Sequence, residues 1–407
     1  MRLLPARDLF ACALPVCAMA FLVSPTPALA QVQVADSGDM SWMLICTALV
    51  LLAVIPGLAL RLAGASPARD APSAMARVLT ASTIATLLWA CAGNMLAYAP
   101  GTLWLGEVRR ASSFDMAALH AGLTISEVSF MIFQASIASL ACGLLTGGFS
   151  GYRLLPVTLL AVAWLLLVYT PIVRAVSAGG WLAQSGVVDF SSALALHLAT
   201  GVSVLTVAVI LRPGRLAGDH APGAPVLGVT GCGLFWLGSL GLSGGWAFGA
   251  TADAVAAILN AHLAACSALL GWAIVERVRT GHATASGMGC GALAGLAAIS
   301  ASAGFTDMSG AVLTGICAGV VCQLATAIPR LLDAYDPANI FAVHAVGGVI
   351  GALLLALVNT RLYTQARLAD QALGIGAVLI WSVVITTLLT LPLLLLKPGG
   401  KARSGSL

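Results

Sequence analysis

Two histidines stand alone in apolar surroundings, and their neighbours match. His197 opens His197-Leu198-Ala199-Thr200-Gly201-Val202, and His344 opens His344-Ala345-Val346-Gly347-Gly348-Val349, so each imidazole precedes a Gly-Val pair by four residues. A neutral imidazole offers both a donor and an acceptor, so two of them along a dry path can pass a small polar molecule or a proton. Ionisable groups inside membrane segments are costly and mark a function by default. The alternative is two unrelated histidines, each bonded to a nearby backbone carbonyl. Asp189 lies just before the segment that carries His197. It reads either as a cap on free helix N–H groups or as a fixed negative charge beside a cation path, and the two roles are compatible. His262 is a third histidine in an apolar run, with no repeat counterpart, and reads as a satisfied structural residue. His120, His220 and His282 fall near span ends or in loops.

The elements that position these groups are set by composition. The chain of 407 residues is 60% hydrophobic and 8% charged, whereas soluble domains carry roughly 25% charged residues. Lipid is the solvent that fits. The net charge of +4, with so few charges, argues against a nucleic-acid partner. Residues 1–30 read as a cleaved signal peptide: Arg2 and Arg7, an apolar run from Leu9 to Val23, then Ala28-Leu29-Ala30 before Gln31. A retained first membrane helix is the alternative, opposed by Pro15, Pro25 and Pro27. A span needs about 20 apolar residues. Eleven such runs follow, near 41–63, 76–100, 118–146, 153–173, 189–211, 225–245, 250–275, 286–304, 309–328, 339–359 and 372–396. The expected fold is therefore all-α and polytopic, a membrane domain over 31–396 with a short tail over 397–407. The eight cysteines beyond the signal segment lie in apolar stretches and show no zinc or redox spacing. No carboxylate pair, nucleophile or metal cluster points to an enzyme or to a cofactor.

Basic residues orient the chain. Twelve fall in one set of loops and the tail: Arg61, Arg69, Arg77, Arg153, Arg212, Arg215, Arg277, Arg279, Arg330, Lys397, Lys401 and Arg403. Five fall in the other: Arg109, Arg110, Arg174, Arg361 and Arg367. The first set is read as cytoplasmic, which leaves the mature N-terminus periplasmic and the C-terminus inside. Eleven spans divide as five, five and one, with repeat one at about 41–211, repeat two at about 225–359 and a last helix at 372–396. Five spans per repeat give the two halves opposite topology, an arrangement that places a substrate path near the midplane at their interface.

Several stretches carry a more specific likeness. Ile45-Cys46-Thr47-Ala48-Leu49-Val50-Leu51 with Pro56-Gly57, Phe133-Gln134-Ala135-Ser136, Asp189-Phe190 followed by His197, and Asp336-Pro337 followed by Phe341-Ala342-Val343-His344 resemble the ammonium transporter (Amt/Rh) family from about residue 41 to 390. The resemblance implies a bacterial inner-membrane homotrimer with one pore per subunit. It further implies ammonium or ammonia as substrate, with methylammonium as a further candidate, and no cofactor. Ammonium is held by cation–π contact in an outer vestibule and loses its proton, and ammonia crosses past the histidines that correspond to His197 and His344. In electrogenic members the proton crosses separately, with the counterpart of Asp189 implicated. The recruitment positions fall on Phe133, Trp246, Ser177 and Asp189.

The chain departs from the family pattern at several of these places. The two stacked gate phenylalanines fall on Ile137 and Leu242, the vestibule tryptophan on Ser177, and the small serine opposite it on Trp246. Either Trp246 fills the space that Ser177 leaves and restores an aromatic wall beside Phe133, or tight ammonium recognition is lost. The Ala-Glu-Arg pattern after the third span is replaced by Gly147-Gly148-Phe149-Ser150-Gly151-Tyr152-Arg153. The short basic tail lacks the segment that docks PII-type regulators and lies instead beside anionic lipid. Three readings follow: a transporter or an ammonia channel of relaxed selectivity, a sensor that binds ammonium without moving it, and a structural subunit of a mixed trimer.

Overall fold

In lipid each backbone polar group must be satisfied within the protein, and a helix does so inside one segment. The computed structural model of the protein describes residues 36–107, 118–149, 151–212, 223–360 and 366–395. The expected signal segment and the tail over 397–407 lie outside the described residues. Eleven apolar helices follow in order: α1 (Ser37–Ala65), α2 (Ala68–Tyr98), α3 (Glu127–Gly148), α4 (Leu154–Gln184), α5 (Ala193–Leu211), α6 (Pro225–Gly245), α7 (Ala252–Thr280), α8 (Ala285–Ile299), α9 (Met308–Leu331), α10 (Phe341–Val358) and α11 (Leu368–Leu395). Ten are long and apolar enough to cross a membrane. At 15 residues, α8 reaches only about 22 Å. The turns that follow it meet the entrance to α5, where the Ser300 carbonyl accepts from the backbone N–H and the hydroxyl of Ser191. Among the described residues there is no β-strand, only isolated bridges.

Some boundaries differ from the sequence expectation, for local reasons. The third span begins at Glu127 rather than 118, because Leu119 and Ser126 bridge across a turn and the Ser126 hydroxyl caps the N–H of Ser129. The fifth helix begins at Ala193, and residues 189–192 form its entrance instead. Three arginines read as loop charges are buried within helices: Arg61 in α1, Arg77 in α2 and Arg174 in α4. Setting them aside leaves ten against four, and the bias keeps its sign.

Helix association in lipid depends on small residues that let backbones approach. The decisive crossing joins α5 to α10, five spans apart in the order and so running in opposite senses. A Cβ on Gly201 of α5 would stand 2.4 Å from the backbone nitrogen of Ala345, and a Cβ on Gly348 of α10 would stand 2.5 Å from the carbonyl of Ala193. Each helix thus uses a glycine to press on the backbone beside the other's histidine. On its far side α5 is tied to α4 and α11 through the Ser203 hydroxyl, which accepts from Trp164 Nε1 at 3.0 Å and bonds Thr386 Oγ1 at 3.0 Å.

Substituting Gly201→Ala or Gly348→Ala should cost about 1–3 kcal/mol, the usual range for overpacking a tight contact. Thermal unfolding of the purified protein in detergent should show a midpoint lowered by a few degrees. Gly376→Ala on α11, where a Cβ would meet nothing within 4 Å, should leave the midpoint in place.

Candidate functional site

The histidine-bearing helices start in the same unusual way. Asp189 is not itself the residue at the helix start; Ser192 holds that place, in the left-handed region at φ 74°. From three residues further back, the Asp189 carboxylate accepts from the N–H groups of Ala193, Leu194 and Ala195 at 2.6, 2.9 and 3.2 Å. In the second half Asp336 accepts from Ile340 and Phe341 at 2.8 and 2.9 Å, and Asn339 takes the left-handed conformation at φ 52°. Both helices then open with a π-helical segment, Ala193–Leu198 and Phe341–Val346, a widened turn common at functional sites. In each half the histidine stands eight residues after the aspartate. Burial raises the pKa of Asp336 above its ordinary value, while the N–H groups of Ile340 and Phe341 and the Arg61 guanidinium act against that rise.

These devices bring His197 and His344 together. Their Nδ1 atoms lie 3.0 Å apart, and the rings are nearly parallel, at 13°. His197 is 2% exposed and His344 is fully buried. A bond between two Nδ1 atoms requires one ring to be protonated at Nδ1 and the other at Nε2, so the two imidazoles hold opposite tautomers. Nε2 of His344 is buried with no partner, while the Phe235 ring lies 5.8 Å from the imidazole. The pair therefore presents a free polar nitrogen to an otherwise apolar interior.

On the face of the bundle where Asp189 sits, two of the recruitment candidates, Phe133 and Trp246, pack together. The Trp246 ring stands edge-on to that of Phe133, with centroids 6.5 Å apart. Gly245 makes room, since a Cβ there would stand 2.4 Å from the Phe133 ring. Phe248 was not singled out from the sequence, yet it contacts both rings, at 6.3 Å from Phe133 and 5.5 Å from Trp246, and Phe130 at 5.4 Å. It lies past the end of α6 at φ 55°, outside any helical periodicity. Ser177 Oγ and Trp246 Nε1 are both buried without hydrogen-bond partners. One turn inward from Phe133 and Trp246 come Ile137 and Leu242, both buried and both aliphatic. His262 lies within α7 as expected, on its exposed surface, against the Trp236 ring at 5.4 Å and near Cys266 Sγ at 3.8 Å.

Fold and site together define a polytopic helical membrane protein whose two halves meet on a shared histidine pair. The Ammonium Transporter Family profile matches residues 41–397, and the chain belongs to that family, one of transporters rather than enzymes. The putative ammonium transporter of Methanothermobacter thermautotrophicus is 31% identical over 384 residues, which cover 89% of this chain and 93% of that protein. The crystal structure of Candida albicans Mep2 superposes with a TM-score of 0.81 at 26% identity, covering 89% of this chain and 85% of that one. A solved sensor Amt protein also gives a TM-score of 0.81, at 27% identity, covering 89% and 94%. A Mep2 protein and a sensor Amt protein thus share this backbone.

Losing the Asp189 carboxylate frees three N–H groups at the start of α5. Asp189→Ala should cost about 1–2 kcal/mol, read as a lower unfolding midpoint in detergent. Asp189→Asn, which keeps an acceptor oxygen, should recover most of the loss.

Proposed function

We propose that the protein conducts ammonia across the bacterial inner membrane along a path through the His197–His344 pair, recruiting it as ammonium at the Asp189 face. The observation that carries this reading is the buried histidine pair, hydrogen-bonded at 3.0 Å, with Nε2 of His344 left unpartnered. A bare cation at the bilayer centre is expensive, whereas a neutral molecule that exchanges hydrogen bonds with two neutral imidazoles is not. The rings of Phe133, Trp246 and Phe248 give the vestibule π faces that favour a cation. The unpartnered Ser177 hydroxyl supplies an acceptor for an ammonium N–H, and Asp189 a negative charge at the start of α5. Ile137 and Leu242 close the vestibule with aliphatic side chains instead of aromatic ones, so ammonium gives its proton to the outer solvent above them and ammonia slips between them. The Asp189 face is the periplasmic one, a reading supported by the excess of basic residues in the loops of the other face. The working unit is a homotrimer with a pore in each subunit.

The test is ammonia entry into proteoliposomes, followed as alkalinisation of a luminal pH dye after an ammonium chloride pulse. The reconstituted protein should exceed empty vesicles clearly. His197→Ala and His344→Ala should each change the initial rate, or the preference for ammonia over methylamine, by about tenfold, the worth of an unpaired buried polar partner. Protein-free rates from a folded, reconstituted sample would refute conduction of neutral ammonia. Trp246→Ala should raise the half-saturating ammonium concentration severalfold, since a ring over a cation is worth about 0.5–2 kcal/mol; an unchanged concentration dependence would remove Trp246 from recruitment.

A further inference from the structure

Arg61 is a buried cation with no carboxylate in ion-pair contact, although Asp336 lies close enough for the two charges to act on each other. Helix α1 widens into a π-helical segment at Ala53–Leu58, where Pro56 lacks the N–H that an α-turn needs. Arg61 follows about one turn later and is only 3% exposed. Its guanidinium donates from NH2 to the Ala338 carbonyl at 2.6 Å and approaches two thiols, Cys232 Sγ at 3.0 Å and Cys290 Sγ at 3.9 Å. Nε is buried with no partner. Among the described residues no carboxylate lies within ion-pair distance of Arg61; the pairs are His120–Glu127 and Arg212–Asp333. Arg174, the buried arginine at the opposite face, spends its N–H groups on the carbonyls of Ala97, Ala99 and Thr102 and so clamps α2 to α4. Arg61 likewise ties α1 to Ala338 and to Cys232 of α6, but through weaker thiol partners and with its Nε–H left over.

Its position decides what such a charge does. Ala338 lies between Asp336 and the π-helical start of α10, six residues before His344. Cys232 sits one turn before Phe235, whose ring packs against the His344 imidazole. Arg61 therefore stands on the inward side of the pair, away from Asp189. It lines a cavity of about 440 Å³ that also holds Arg279 and Arg330. The acid of that cavity, Glu276, is already engaged by the N–H and hydroxyl of Thr284 at 3.1 and 2.9 Å.

We infer that Arg61 is a charge-selectivity residue at the inner exit of the path proposed above, passing neutral ammonia and turning back ammonium and protons. The inference rests on that transport reading. Arginine has donors and no acceptor. Ammonia has a lone pair that the free Nε–H can meet, whereas ammonium has only donors and carries the same charge. In walls of low polarity a fixed charge acts over several ångströms with little screening.

The experiment reads charge and ammonia on one vesicle preparation. Ammonium-evoked charge is measured on a solid-supported membrane and ammonia entry by luminal alkalinisation, for the wild-type protein, Arg61→Gln and Arg61→Lys. The expected result is little charge per ammonia in the wild type, a ratio raised on the order of tenfold in Arg61→Gln, and a wild-type ratio in Arg61→Lys. A wild-type protein that already moves about one charge per ammonia overturns the inference whether or not any variant folds. So does an Arg61→Gln protein that conducts with the wild-type ratio, or one in which charge and ammonia rise equally, which would make Arg61 a plug. Charge without luminal alkalinisation in the wild type, the sign of ammonia and a proton entering together, also overturns the inference; absence of both signals would instead sink the transport reading, and the inference with it.

Discussion

Two imidazoles in the middle of an apolar bundle are tolerable only if they satisfy each other, and a contact of 3.0 Å between their Nδ1 atoms is demanding. It requires two helices of opposite sense to touch backbone to backbone. Gly201 and Gly348 permit that approach, and the π-helical segments widen the turn from which each histidine projects. A widened helix start leaves N–H groups looking for acceptors, and Asp189 and Asp336 supply them. Much of what is unusual in the two halves follows from the need to hold one hydrogen bond in hydrocarbon.

The parts legible in the sequence were those with a period or a repeat. Composition alone called for a helical membrane protein, and eleven apolar runs became eleven helices with modest shifts at their ends. His197 and His344 stood out because each precedes a Gly-Val pair by the same interval. The equal aspartate-to-histidine interval was also present, but Phe190-Ser191-Ser192 and Pro337-Ala338-Asn339 look nothing alike, and only their shared backbone shape reveals the match. Phe248 escaped notice because it lies past a helix end, where no periodicity points inward. The side of α7 on which His262 lies was not legible, because an almost uniformly apolar helix does not announce which side faces its neighbours. Arg61 read as a loop charge because it comes near the end of a span, and its burial depends on helices far away in the chain.

The two sides of the histidine pair differ in kind. Towards Asp189 the interior is lined by aromatic rings and by polar atoms without partners, a setting that suits a cation with N–H donors. Towards Asp336 it is lined by a guanidinium and two thiols, which suits a molecule with a lone pair. On the Asp189 side Trp246 and Phe248 pack around Phe133, so that side carries a continuous surface of rings.

A hydrogen bond between like atoms of like residues has a symmetry of its own. The shared proton can be assigned to either ring, and the two assignments differ only in which half carries the donor. The centre of the molecule is thus close to degenerate and carries no intrinsic arrow. Any sense of direction is imposed from the periphery, by unlike mouths on an almost even-handed core.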